Sequence, residues 1–178
     1  MSKQSLNIAI LTVSDTRTVE TDTSGLFLKE AARDDGHQVV FHEIVKDDQA
    51  TICKQVKNWV ADSKVQVILL TGGTGFAPRD VTPEAIEPLF ERTIPGFGEL
   101  FRMISYEEIG TSTIQSRALA GIAKQTLIFA MPGSTGACRT AWAKILKEQL
   151  DSTHKPCNFA GLVFGATKLD PVTKEANH

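Results

Sequence analysis

Residues 65–80 read VQVILLTGGTGFAPRD. An apolar, β-branched run stops at Thr71, Gly72, Gly73, Thr74 and Gly75, and the loop that follows closes on Arg79 and Asp80. A run this continuously apolar is a strand covered on both faces, and parallel sheets are where such strands occur. Three more runs have the same character: NIAILTVS (7–14), QVVFHEIV (38–45) and QTLIFAMPG (125–133). The chain between them has helical period. Ile52, Val56, Trp59 and Val60 fall at i, i+4, i+7 and i+8, and Cys138, Trp142, Ile145 and Leu146 repeat the spacing, so each stretch offers one apolar stripe to a sheet. The alternation predicts an α/β fold, a three-layer, doubly wound, mainly parallel sheet with helices on both faces.

Residues 83–121 break this rhythm and read as two or three short helices without a strand. After Asp151 the pattern becomes irregular, and residues 165–178 are polar with no apolar period. The expected organisation is a single domain over 1–178 with a core of about 6–160 and a loose tail at 165–178.

A length of 178 residues suits one domain with a substantial core, and 42% hydrophobic with 22% charged residues argues against both disorder and a membrane span. A formal charge of −2 gives no pull toward nucleic acid or anionic lipid, so neither nucleic acid nor membrane is an expected partner. Cys53, Cys138 and Cys157 are far apart and lack metal-site spacing, which reads as reduced thiols. The opening MSKQSLNIAI lacks the apolar core of a signal peptide, so the expected location is the cytoplasm. His37, His42, His154 and His178 read as surface or core residues without a catalytic partner.

In open parallel sheets, ligands bind beyond the carboxyl ends of the strands, where the strand order reverses. The residues to weigh are therefore Ser14 and Asp15, Asp47 and Asp48, Thr71 to Asp80, and Pro132, Gly133 and Ser134. Gly72, Gly73 and Gly75 can take positive φ and turn successive N–H groups into one concavity, while Thr71 and Thr74 add hydroxyls: an anion cradle. The competing reading is a turn that merely reverses the chain. A second loop, MPGSTG (131–136), runs into a helix N-terminus, and TDTSG (21–25) opens the first helix with similar donors. Either Asp47 or Asp48 is expected to cap the helix beginning near Gln49. Thr82 and Pro83 supply a cap and first helical position of their own, which frees Asp80 to face the glycines and hold Mg²⁺ beside bound phosphates. Arg79 is either a phosphate contact or an ion-paired surface residue. No Walker loop, dinucleotide fingerprint or nucleophile elbow is present.

Taken together, LTVSDTR (11–17), DTSG (22–25), TGGTG with PRDVTPEA (71–85), PGFGELFRMISYEEIGTSTIQSRALAG (95–121) and FAMPGSTGACRTAW (129–142) closely resemble the molybdenum cofactor biosynthesis family. The resemblance covers roughly residues 6–160. It implies a molybdopterin-binding α/β domain that assembles as a trimer or a dimer of trimers. It further implies use of Mg²⁺ and ATP to adenylylate the terminal phosphate of molybdopterin, giving adenylyl-molybdopterin and pyrophosphate. By position, Asp47 and Asp80 correspond to the family's acidic residues for catalysis and metal binding. The loops 71–75 and 131–134 correspond to its pterin and phosphate sites. No protein-bound zinc, haem or flavin is implied. A molybdopterin-binding or assembly protein without turnover is the alternative.

Overall fold

The computed structural model describes residues 2–165. All four apolar runs are strands: β1 (Asn7–Val13), β2 (Gln38–Val45), β3 (Val67–Thr71) and β6 (Thr126–Met131), paired parallel with one another. Two further strands, β4 (Arg92–Thr93) and β5 (Leu119–Ala123), lie in the segment expected to hold helices alone. β5 runs antiparallel to β6 across a two-residue turn at Lys124 and Gln125, and β4 pairs antiparallel with β5. The six strands stand in the order β2-β1-β3-β6-β5-β4.

Alternation along the strands sorts the core into two layers. Ile8, Ile10, Val67, Leu69, Leu127 and Phe129 pack against α1 (Thr23–Asp34), α4 (Pro95–Ile109) and α5 (Thr135–Ala141), which contribute Leu28, Phe97, Phe101 and Cys138 among others. Ala9, Leu11, Ile68, Leu70, Ile128 and Ala130 pack on the other face against α2 (Gln49–Ala61) and α3 (Thr82–Ile86) through Ile52, Val56, Trp59 and Ile86. Both stripes read from the sequence are therefore buried, with Val60 only partly covered. The last of these helices continues from α5 through a π turn, Trp142–Leu146, into α6 (Lys147–Gln149), keeping Trp142, Ile145 and Leu146 inward.

Between α3 and β5 the segment holds one longer helix of 15 residues, α4, followed by a 3₁₀ stretch at Gly110–Gln115. Phe97 and Phe101 belong to the core, the Phe97 ring meeting Phe129 edge-on at 5.2 Å. The opposite side of the segment exposes Leu100, Met103, Tyr106, Ile109 and Ile114. The stretch after Asp151 is less irregular than its sequence, because it ends in α7 (Ala160–Gly165), with Ala160 buried and Phe159 against Phe129. The expected loose tail beyond Gly165 lies outside the described residues.

From β1 the chain goes to β2 on one side and then to β3 on the other side of β1. The connections thus diverge between β1 and β3, and a crevice opens above their carboxyl ends.

Candidate functional site

The crevice has a volume of about 290 Å³ and is lined by the residues that end β1, β2, β3 and β6. Its floor is the glycine loop. Gly72 (φ 108°) and Gly73 (φ 64°) both sit in the left-handed half of conformational space, where a β-carbon is strained. Space forbids one as well: a β-carbon on Gly72 would enter the Val13 carbonyl, and one on Gly73 would strike the Thr82 hydroxyl and lie 3.2 Å from Asp47 Oδ1. On Gly75 it would lie 2.6 Å from Asp80 Oδ2, and on Gly133 it would lie 3.2 Å from the Gly72 Cα. The loop is threaded between two carboxylates and against the second glycine loop.

Two hydroxyls fix that loop from behind. Thr71 Oγ1 donates to the Pro132 carbonyl at 3.0 Å, tying β3 to the loop after β6. Thr82 Oγ1 donates to the Gly72 carbonyl at 2.8 Å. Thr82 is therefore not the expected helix cap: α3 starts after Val81 with no side-chain cap, and the hydroxyl is used on the glycine loop instead.

The acidic pair divides its work. Asp48 caps α2, accepting from the Thr51 N–H at 2.8 Å, and this leaves Asp47 to the crevice. Burial pushes the Asp47 carboxyl above its ordinary range, and the Asp15 and Asp80 charges push the same way, against the Arg79 guanidinium. Asp15 Oδ1 accepts the Asp47 N–H at 3.2 Å, so the β1 and β2 ends are joined through these residues. Asp80 Oδ2 accepts the Ala77 N–H at 2.9 Å, which folds the loop back on itself. Ser14 Oγ accepts from the N–H groups of Thr16 and Arg17 at 3.2 and 3.1 Å.

Of the residues read from the sequence, Ser14, Asp15, Asp47, Thr71, Gly72, Gly73, Thr74, Gly75, Asp80, Pro132 and Gly133 all line the crevice, and Arg79 joins them. Ser134 does not line it; its hydroxyl caps α5 by accepting the Ala137 N–H at 3.2 Å. The TDTSG donors are also turned inward. Asp22 is the cap of α1, accepting the Gly25 N–H at 2.9 Å, the Thr12 hydroxyl at 2.6 Å and His42 Nε2 at 2.9 Å. Burial opposes the Asp22 charge, yet these donors outweigh it and hold the carboxyl below its ordinary value. His42 thus has the carboxylate partner that the sequence did not reveal. Ser24 donates to the Gly133 carbonyl at 2.7 Å and Thr23 meets Thr135 at 2.8 Å, so α1 braces the second loop.

Sequence reasoning missed Thr12, Thr16, Arg17 and Asp22 on the crevice wall, and Arg117 behind the loop. The Asp-x-x-Gly spacing at 22–25 could have marked Asp22 as a buried cap. Arg117 has no local signal, because its partners are 33 or more residues away in sequence. Cys53, Cys138 and Cys157 are free thiols, and burial raises Cys138 to about 11, keeping it protonated.

These features define a doubly wound α/β domain with a polar, glycine-lined ligand crevice at its topological switch point. The family described as "Probable molybdopterin binding domain" matches residues 9–152. The chain is 59% identical over 152 residues to molybdenum cofactor biosynthesis protein B of Escherichia coli strain K12, covering 85% of this chain and 89% of that protein. It is 47% identical over 142 residues to the protein of the same name from Bacillus subtilis strain 168, covering 79% and 84%. A crystal structure of molybdenum cofactor biosynthesis protein B superposes with a TM-score of 0.86 at 42% identity, covering 95% of this chain and all of that one. The chain belongs to the molybdopterin-binding domain family of molybdenum cofactor biosynthesis proteins. Among the described residues no helix is long and apolar enough to cross a membrane.

Proposed function

We propose that the chain is a molybdopterin adenylyltransferase, which joins the terminal phosphate of molybdopterin to the adenylyl group of ATP. The observation that carries this reading is the placing of Asp47 and Asp80, from different strand ends, against Gly73 and Gly75 of one cradle. In the reaction a phosphate oxygen attacks the α-phosphorus of ATP and forms a new P–O bond. The bridge between the α- and β-phosphorus breaks, and its electron pair leaves on pyrophosphate. Both reactants are polyanions that have to be brought within ~3.5 Å of each other, so positioning and charge neutralisation are the work to be done. The N–H groups of Gly73, Thr74, Gly75 and Gly133 serve the phosphates, with Arg79 among the lining residues.

The donor set fits Mg²⁺. Asp47 and Asp80 offer hard oxygens, and the Asp15 and Asp80 charges, which add to burial in raising the Asp47 carboxyl, are charges that a cation relieves. Asp47 and Asp80 would hold the Mg²⁺, which would supply charge neutralisation for the phosphates.

Purified protein incubated with molybdopterin, Mg²⁺ and ATP should yield adenylyl-molybdopterin and pyrophosphate, separable by chromatography. Binding of molybdopterin with no product over many hours would replace the enzyme by a binding or assembly protein.

A further inference from the structure

Behind the crevice one side chain gathers the acceptors of the loop that carries Asp80. Arg117 lies just before β5, far from Asp80 in sequence. Its Nε donates to the Gly75 carbonyl at 2.8 Å and its Nη2 to the Asp80 carbonyl at 2.7 Å, while Nη1 pairs with Glu84. Its own N–H donates to the Thr74 carbonyl at 2.9 Å. The guanidinium also stands 5.2 Å from the centre of the Phe76 ring, which is otherwise 67% exposed.

We infer that Arg117 is a positioning residue whose guanidinium fixes the 74–80 loop and thereby the Asp80 carboxylate. In a planar trans peptide the C=O and the next N–H point in opposite directions. Drawing the carbonyls of Thr74, Gly75 and Asp80 toward Arg117 therefore turns the N–H groups of Gly75, Phe76 and Val81 away from it. The same three anchor points close both ends of the loop, so Asp80 is held against Gly75 by partners on the side remote from the crevice. A lysine keeps the charge but has one compact donor group and cannot span acceptors spaced for a planar fork.

The inference deepens the proposed adenylyltransferase reading, and two kinds of measurement separate them. Arg117→Lys should speed amide exchange at Ala77 and Asp80, whose N–H groups are bonded within the loop to the Asp80 carboxylate and the Ala77 carbonyl, by about tenfold or more, the size expected for losing one or two hydrogen bonds to a charged group. Mn²⁺ held together with ATP, followed by electron paramagnetic resonance, should bind roughly tenfold more weakly, since its carboxylate is displaced. Molybdopterin affinity should fall by clearly less than the metal affinity, because Thr71 and Thr82 still hold the rest of the cradle, and Glu84→Gln, which spares the carbonyl bonds, should change the metal affinity by less than about threefold. Unchanged loop exchange in Arg117→Lys overturns the inference. So does an equal loss of metal affinity, molybdopterin affinity and melting temperature, which is the mark of a purely structural residue. A variant that does not fold also counts against it, unless Arg117→Gln folds and shows the split. If the wild-type protein binds no Mn²⁺ with ATP, the adenylyltransferase reading fails while the exchange rates still decide the role of Arg117.

Discussion

Asp47 and Asp22 are both crevice carboxylates, and folding moves them in opposite directions. For Asp22 the folded value lies below the unfolded one, so its contribution to stability is present above the unfolded value and lost as pH falls through the folded one. For Asp47 the folded state binds its proton more tightly than the unfolded chain, so stability declines as pH rises from the unfolded to the folded value. Asp47→Asn should therefore raise the melting temperature at neutral pH, with the gain vanishing below the carboxylate range. Calorimetry across that span checks the sign, and a lower melting temperature at pH 7 would contradict the assignment. Asp80→Asn is a different probe, because its charge serves the reaction more than the resting site. Turnover should fall by roughly 10²-fold with molybdopterin binding nearly unchanged. Gly73→Val should instead abolish binding, since its backbone sits at φ 64° and the added atoms would occupy the space beside Asp47. Fluorescence titration of the pterin distinguishes the two variants.

Among the elements, α3 shows how a plausible local signal can be captured by tertiary structure. Thr82 followed by Pro83 reads as a helix start, yet the hydroxyl bonds the Gly72 carbonyl across the crevice floor. Thr82→Ala should cost about 1 kcal/mol in stability and also weaken molybdopterin binding, whereas Thr82→Ser should preserve both. If Thr82→Ala loses stability alone, the bond has no part in shaping the loop. Legibility followed the same division. β1, β2, β3 and β6 were readable because their side chains are continuously apolar, and the strand ends then located Asp47, Asp80 and both glycine loops. β5 was not, since Leu-Ala-Gly-Ile-Ala has little β-branched character; the Phe90 ring occupies the space a side chain at Gly121 would need. The β5–β6 turn was equally silent, as Lys124 takes φ 53° where Gly or Asn is customary. α4 was legible as a helix despite its early glycines, and Gly98 is there because the Ala118 carbonyl and the Arg102 guanidinium crowd it.

At the scale of the whole molecule, the exposed side of α4 and the 3₁₀ stretch after it is the feature most at odds with an isolated chain. Met103, Tyr106, Ile109 and Ile114 are each more than half exposed, in a cluster of the kind that marks interaction sites. The expectation is a three-fold assembly, and Met103→Glu combined with Ile114→Glu should dissociate it. Light scattering giving the mass of one chain for the unaltered protein at micromolar concentration would rule the assembly out.

The position of β6 bears on biosynthesis as well. It fills the gap between β3 and β5, although it is the last strand of the sheet to be translated. Until residue 131 has left the ribosome, the far side of β3 has no partner, and the unpaired backbone of Val67–Thr71 is a template for any other extended chain. Nor does the crevice have its Pro132–Gly133 wall before that moment. A chain interrupted at residue 125 should therefore be both unable to hold a ligand and prone to stick to its siblings, so ligand capture reports that synthesis has passed β6.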